Sequence, residues 1–214
     1  MTQPSVLLFD LDGTLINSLP DLTLALNLLR AELDCPPLTL DQAGPMVGDG
    51  VSLLVRRALG DALFKEEHVT RFLAFYDSHL LDNTVCYPGI TALLQRHPAQ
   101  QLGIVTNKPY RQTLAILEGL GLRQRFGAII GGDSCTQKKP DPGPLLAALT
   151  ELGATPQQAV MIGDHHTDLY AGRGAGTATC FCDYGFGNSG GLEYDFLATT
   201  ANDLLQLFPG TIDA

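Results

Sequence analysis

Five short apolar runs, each closing on a polar or glycine-bearing turn, constrain this chain more than any other feature. They are Val6-Leu7-Leu8-Phe9, Leu102-Gly103-Ile104-Val105, Phe126–Ile130, Ala159-Val160-Met161-Ile162 and Thr177–Phe181. A strand that is apolar at every position has to be covered on both faces, which is the condition of a parallel sheet packed between helices. Helix-like stretches at Tyr110–Gly119, Pro144–Leu152 and Thr167–Ala175 alternate with the later runs. The alternation predicts an α/β sandwich, and sheets of that kind bind ligands at the carboxyl ends of their strands.

The first crossover is far too long for its task. About 90 residues separate Asp10 from the run at Leu102, where a dozen or so would connect two parallel strands. The intervening pattern is helical. Ser18-Leu-Pro-Asp21 has the spacing of a capping box ahead of Leu22, Leu26, Leu29 and Leu33, and Thr39-Leu-Asp-Gln42 has it again. Val51–Leu59 and Glu66–Leu81 continue with helical spacing after a break at Pro45-Met-Val-Gly-Asp-Gly50, and Pro88-Gly89 marks the return to the sheet. Residues 16–84 are therefore expected to form a small helical insert above the end of the first strand, with residues 1–15 and 85–214 forming the α/β core. The glycine-rich stretch Tyr184–Gly191 reads as a loop.

Composition excludes several function classes. The 214 residues are 45% hydrophobic and 17% charged, enough to bury a core. Thirteen Lys and Arg against twenty-three Asp and Glu give a formal charge of −10, unsuited to nucleic-acid phosphates or an anionic membrane surface. Five scattered cysteines (Cys35, Cys86, Cys135, Cys180, Cys182), none spaced as C-x-x-C, argue for reduced thiols rather than a disulfide framework or a closed zinc site. No basic leader precedes the short run Val6–Phe9, and the expectation is a soluble cytoplasmic protein. Three of the four lysines, Lys108, Lys138 and Lys139, fall beside the segments described next.

Phe9-Asp10-Leu11-Asp12-Gly13-Thr14 directly follows a buried-type strand, so Asp10 and Asp12 address one site at its carboxyl end. Adjacent carboxylates repel unless a cation holds them, and a hard divalent ion such as Mg²⁺ with oxygen ligands is the natural neutraliser. Gly13 permits a sharp turn whose N–H groups can cradle phosphate oxygens; a plain Asp-rich turn would use the same residues. Gly163-Asp164-His165-His166-Thr167-Asp168 follows another apolar run. Asp164 can complete a metal site with Asp10 while Asp168 braces it, or the segment is simply an acidic helix start. Thr106-Asn107-Lys108 and Lys138-Lys139-Pro140 follow two further runs and offer a hydroxyl and an ammonium group to a phosphoryl group. Four strand ends carrying these groups together point to a phosphoryl-transfer site.

In that order and over essentially the whole chain, these segments resemble the haloacid dehalogenase superfamily, within it the phosphoglycolate phosphatase-like group with a helical cap. Asp10-x-Asp12-Gly-Thr14, Thr106-Asn107, Lys139-Pro140 and Gly163-Asp164-x-x-x-Asp168 match its four motifs. The resemblance implies a Rossmann-like parallel sheet core with helices on both faces and an inserted all-helical cap. It also implies an Mg²⁺-dependent phosphatase acting on a small phosphorylated metabolite, as a monomer or homodimer. Asp10 would be the nucleophile and Asp12 the acid and base; Thr106 and Lys139 would bind phosphoryl oxygens, Asn107 being grouped with them, and Lys139 would also hold Asp10. Mg²⁺ would be held by Asp10, the Asp12 carbonyl and Asp164, with Asp168 behind them. Pro45-Met-Val-Gly48-Asp-Gly50 resembles the cap loop of phosphoglycolate phosphatases, making Gly48 and Gly50 substrate-facing and 2-phosphoglycolate the expected substrate. Sugar phosphatase, pyrophosphatase, β-phosphoglucomutase-like mutase and, in a different class, phosphate-accepting signalling module are the alternatives. Asn17-Ser18 stands where Asp-Ser is usual and His165 where Ser is common; Arg56 and Arg57 could meet a substrate carboxylate.

Overall fold

The computed structural model describes residues 3–210. The chain runs β1 (Val6–Phe9), β2 (Ile16–Asn17), α1 (Leu19–Glu32), α2 (Leu40–Ala43), α3 (Val51–Leu59), α4 (Glu66–Ser78), β3 (Val85–Cys86), α5 (Ile90–Gln95), β4 (Leu102–Val105) and α6 (Tyr110–Gly119). It continues through β5 (Ala128–Ile130), α7 (Gly143–Leu152), β6 (Ala159–Gly163), α8 (His166–Ala175), β7 (Ala178–Cys182), β8 (Phe196–Ala198) and α9 (Leu204–Leu207). Six strands form one parallel sheet in the order β5-β4-β1-β6-β7-β8. The five apolar runs are five of these strands. The sixth, β8, went unread because three residues at a sheet edge, one of them exposed, carry too little apolar pattern.

Strands β1, β4, β5 and β6 each feed two cores because side chains alternate across the pleat. In β1, Val6 and Leu8 pack with Val105, Leu145, Leu149 and Met161 on the face covered by α7 and α8. Leu7 and Phe9 join Ile104, Ile162, Leu93, Ile116 and Leu204 on the opposite face. With β1 between β4 and β6, successive strands are added outward in both directions. The carboxyl end of β1 is thus the topological switch where a crevice opens.

Helices α1 to α4 lie between β2 and β3, a short antiparallel pair where the helical segment leaves and rejoins the core. That pair was not read from the sequence, since two residues per strand carry no periodicity. Thr39 forms its expected capping box with Gln42 at the start of α2. Ser18 does not. It is the N-cap residue of α1 by position, but its hydroxyl donates instead to Asp12 Oδ1 at 2.5 Å. Asp21, the other half of that expected box, is fully buried and accepts from Asn83 N and Nδ2 and from Thr84 N and Oγ1. Those contacts turn the chain back toward β3, and α4 ends at Ser78 rather than at Leu81. All five cysteines are free thiols. Among the described residues no helix is long and apolar enough to cross a membrane.

Candidate active site

The sheet positions the site by simple continuation. Asp10 follows β1, and its N–H still donates to Ile162 O of β6 at 2.9 Å; Thr106 follows β4 and donates to Ile130 O of β5 at 3.0 Å. Asp164 follows β6. Each side chain is thus one residue beyond a strand, and at Asp10 and Thr106 the neighbouring strand still holds the backbone. Asp10, Asp12, Thr106, Asn107, Lys108, Asp164 and His165 line one cavity with Val47, Gly48, Gly50, Val51, Leu54, Phe72 and Tyr76 from the cap.

Lys139 enters below this cavity, fully buried. Its Nζ lies 2.6 Å from Asp168 Oδ1 and 3.1 Å from Asp10 Oδ1. Burial alone would lower the lysine's proton affinity, but the charges of Asp10 and Asp168 outweigh it and raise its pKa, so Lys139 stays an ammonium. Asp168 also accepts from His165 N at 3.0 Å, which ties the start of α8 to the same network. Asp168 completes a capping box at the start of α8, as the acidic helix-start reading expects, and also pairs with Lys139.

The carboxylates of Asp10, Asp164 and Asp168 each present an oxygen within 4.8 Å of the others, all buried. One ammonium group does not balance three carboxylates. Burial, then Asp10 and Asp168, push the Asp164 carboxyl well up, and Asp10 Oδ1 has no hydrogen-bond donor despite its ion pair. A buried, oxygen-rich cluster with surplus negative charge and an unsatisfied oxygen fits a hard divalent cation. Asp164 is set by backbone groups: Phe186 N and Gly187 N donate to Oδ2 at 3.1 and 2.9 Å. A Cβ on Gly13, at φ +82°, would lie 2.1 Å from the same oxygen, so only glycine fits there. The loop carrying Phe186 and Gly187 is part of the site, although its sequence pattern says only that it is a loop. Its glycine density was the available signal, since a Cβ on Gly185 would sit 2.3 Å from Asp164 Cβ.

Asp12 is held apart from this cluster. Both its oxygens accept from Lys108 Nζ, at 3.0 and 2.9 Å, while Oδ1 also takes the Ser18 hydroxyl. Lys108 was singled out only by its location. It is buried, and its third contact is the Tyr76 hydroxyl of α4 at 2.7 Å. Burial opposes the charge on Lys108, but the attraction of Asp12 prevails and raises its pKa.

Asn107 gives both Nδ2 hydrogens to carbonyl groups, Gly48 O on the cap loop and Lys139 O on the core, each at 2.9 Å. Its amide donors are therefore engaged in holding the cap loop down. Gly48 (φ +116°) packs against the His165 ring, where a Cβ would come within 2.8 Å; a Cβ on Gly50 (φ +96°) would lie 3.0 Å from Lys138 Nζ. Neither Arg56 nor Arg57 lines the cavity, so neither meets a substrate carboxylate there. Arg57 pairs with Asp49 at 2.6 Å and donates to Met46 O, and Arg56 lies over the Phe64 ring near Asp61. Burial and the neighbouring His166 push His165 down to about 4, so it is a neutral ring beneath the cap loop. His166 is more open, 4.0 Å from Asp49.

The family model described as haloacid dehalogenase-like hydrolase matches residues 7–182. A phosphoglycolate phosphatase of Rhodospirillum rubrum is 42% identical over 195 residues, covering 86% of this chain and 81% of the relative. One from Chromobacterium violaceum is 40% identical over 209 residues, covering 94% and 93%. A solved structure described as a predicted phosphoglycolate phosphatase from Haemophilus somnus superposes with a TM-score of 0.88 at 30% identity, covering 97% of this chain and 99% of that one.

Proposed function

Because this chain belongs to the haloacid dehalogenase-like hydrolases, we propose that it cleaves a small phosphomonoester, 2-phosphoglycolate foremost, through an aspartyl-phosphate on Asp10. The observation that carries this reading is the convergence of Asp10, Asp12, Thr106 and Asp164 on one cavity, with Lys139 behind Asp10. An Asp10 carboxylate oxygen attacks phosphorus in line, the phosphorus–oxygen ester bond breaks, and Asp12 gives the leaving oxygen its proton. Asp12 then takes a proton from the water that attacks the acyl phosphate, releasing inorganic phosphate and restoring Asp10. Lys139 keeps the nucleophile oriented and charged, and Thr106 is at hand for a phosphoryl oxygen. Asp10 and Asp164, with the Asp12 carbonyl, would hold Mg²⁺, and Asp168 would fix the lysine beside them. Bound there, Mg²⁺ supplies charge neutralisation for the nucleophile and the phosphoryl group together.

The substrate choice rests on the names of the relatives and on a cavity roofed by the cap, which favours a small organic portion. The test is phosphate release from a panel of phosphometabolites with Mg²⁺. The expected result is the highest kcat/KM for 2-phosphoglycolate. A higher value for a sugar phosphate or pyrophosphate would reassign the substrate, transfer between carbons without phosphate release would make the protein a mutase, and stable phosphorylation without turnover would make it a signalling module.

A further inference from the structure

The cap supplies more than a roof. Tyr76 stands on α4 and its hydroxyl is 2.7 Å from Lys108 Nζ, a core residue that follows β4. Lys108 in turn donates to both oxygens of Asp12 at 3.0 and 2.9 Å. The ammonium therefore has three partners, two of them on Asp12 and one on the cap. Lys108 is buried, its side chain 3% exposed, so each of these partners weighs heavily in holding the ammonium. Tyr76 is itself buried and stacks on Phe72, ring centroids 5.8 Å apart, which leaves its hydroxyl little freedom to point elsewhere. A flexible four-carbon side chain held at one more point keeps one rotamer.

We propose that Tyr76 is a positioning residue: with the cap down, its hydroxyl holds Lys108 on Asp12 and so orients the carboxyl group that serves the leaving oxygen. This role rests on the phosphatase reading above. It makes cap closure a condition for competent acid catalysis as well as for excluding water. A phosphate delivered to an open cap would meet the nucleophile but a poorly oriented acid.

The test compares kcat/KM on two esters, because that quantity reports the steps through phosphoryl transfer to Asp10. 2-Phosphoglycolate has a poor leaving group and needs the proton from Asp12; p-nitrophenyl phosphate has a good one and needs it little. Tyr76→Phe keeps the ring stacked on Phe72 and should melt within a few degrees of wild type. It should lose on the order of ten-fold with 2-phosphoglycolate and much less with the aryl ester, the scale of one hydrogen bond to a charged group. Lys108→Met should show the same leaving-group signature more strongly. Combined with Lys108→Met, Tyr76→Phe should add nothing further, because the hydroxyl acts through the lysine. Equal losses on both esters, or additive losses in the double variant, would overturn the positioning role while wild-type turnover and its loss in Asp10→Asn keep the phosphatase reading intact. Wild-type inactivity on both esters would overturn the phosphatase reading and this role with it.

Discussion

Asn107 of the core and Gly48 of the cap loop are joined by a hydrogen bond of 2.9 Å, from the amide nitrogen to the glycine carbonyl. The second Asn107 hydrogen goes to Lys139 O, so one side chain ties the cap loop to the segment between β5 and α7 that carries Lys139. Flipping the amide would set its oxygen against two carbonyls, which fixes its orientation. Held there, Gly48 lies against the His165 ring, where a Cβ would come within 2.8 Å.

Gly48 and Gly50 should then differ in sensitivity. A Cβ at Gly48 enters the buried His165 ring, whereas at Gly50 it meets the far end of exposed Lys138, which can move. Both positions have positive φ and strain any replacement. Gly48→Ala is expected to reduce kcat/KM for 2-phosphoglycolate more than Gly50→Ala does, with smaller losses for p-nitrophenyl phosphate in both. Steady-state kinetics on the two esters check this; the reverse ranking would mean that the loop does not close over His165.

Asp10→Asn should remove turnover without unfolding the protein, because an amide is a far weaker nucleophile and keeps the shape. Asp12→Ala should cost on the order of 10²–10⁴-fold in kcat, the scale of a positioned acid–base group. Phosphate release alongside a thermal melt separates these effects from misfolding. Multiple turnovers in Asp10→Asn would remove it from its role.

EDTA should silence the enzyme and Mg²⁺ should restore it. Ca²⁺ should restore it poorly, since the larger ion accepts looser and higher coordination. Gly13→Ala should mimic metal loss, as its methyl group would occupy the space of Asp164 Oδ2. Isothermal titration of Mg²⁺ into the variant would read this directly; unchanged affinity would detach Gly13 and Asp164 from the metal.

Asp21 predicts a pH effect on stability. Burial alone would push its carboxyl up, but the hydrogen bonds from Asn83 and Thr84 outweigh it and hold it below the usual carboxylate range. A group with a lowered folded-state pKa stabilises above its unfolded value, near 3.9, and that contribution fades as pH falls through the folded one. Asp21→Ala should cost about 3 kcal/mol at neutral pH, because it strands buried donors at the junction of α1 with β3. The gap between variant and wild type in urea melts should narrow below about pH 4. A gap that widens there would give the interaction the wrong sign.

Much of this architecture was readable from local pattern. Val6–Phe9 is apolar at every position because both faces of β1 are covered, and Asp10 follows it, so a sequence window of a few residues already places a carboxylate at a strand end. The same holds for Thr106 and Asp164. Ser18 and Asp21 misled, since capping-box spacing says only that a hydroxyl and a carboxylate could meet. Asp12 and the Asn83-Thr84 backbone compete for them from elsewhere in the chain.

The five apolar strands, the helical insertion after β1 and the edge at which chemistry gathers were determined by the sequence itself, because hydrophobic period and strand-end position are short-range properties. Which charged group pairs with which was decided only by the tertiary structure. Lys108 reaches Asp12 across 96 residues of chain and Tyr76 across 32, while Arg57 turns to Asp49 and away from the cavity. Such pairings depend on rotamers chosen by packing between the cap and the sheet, and nothing within either segment alone expresses that choice.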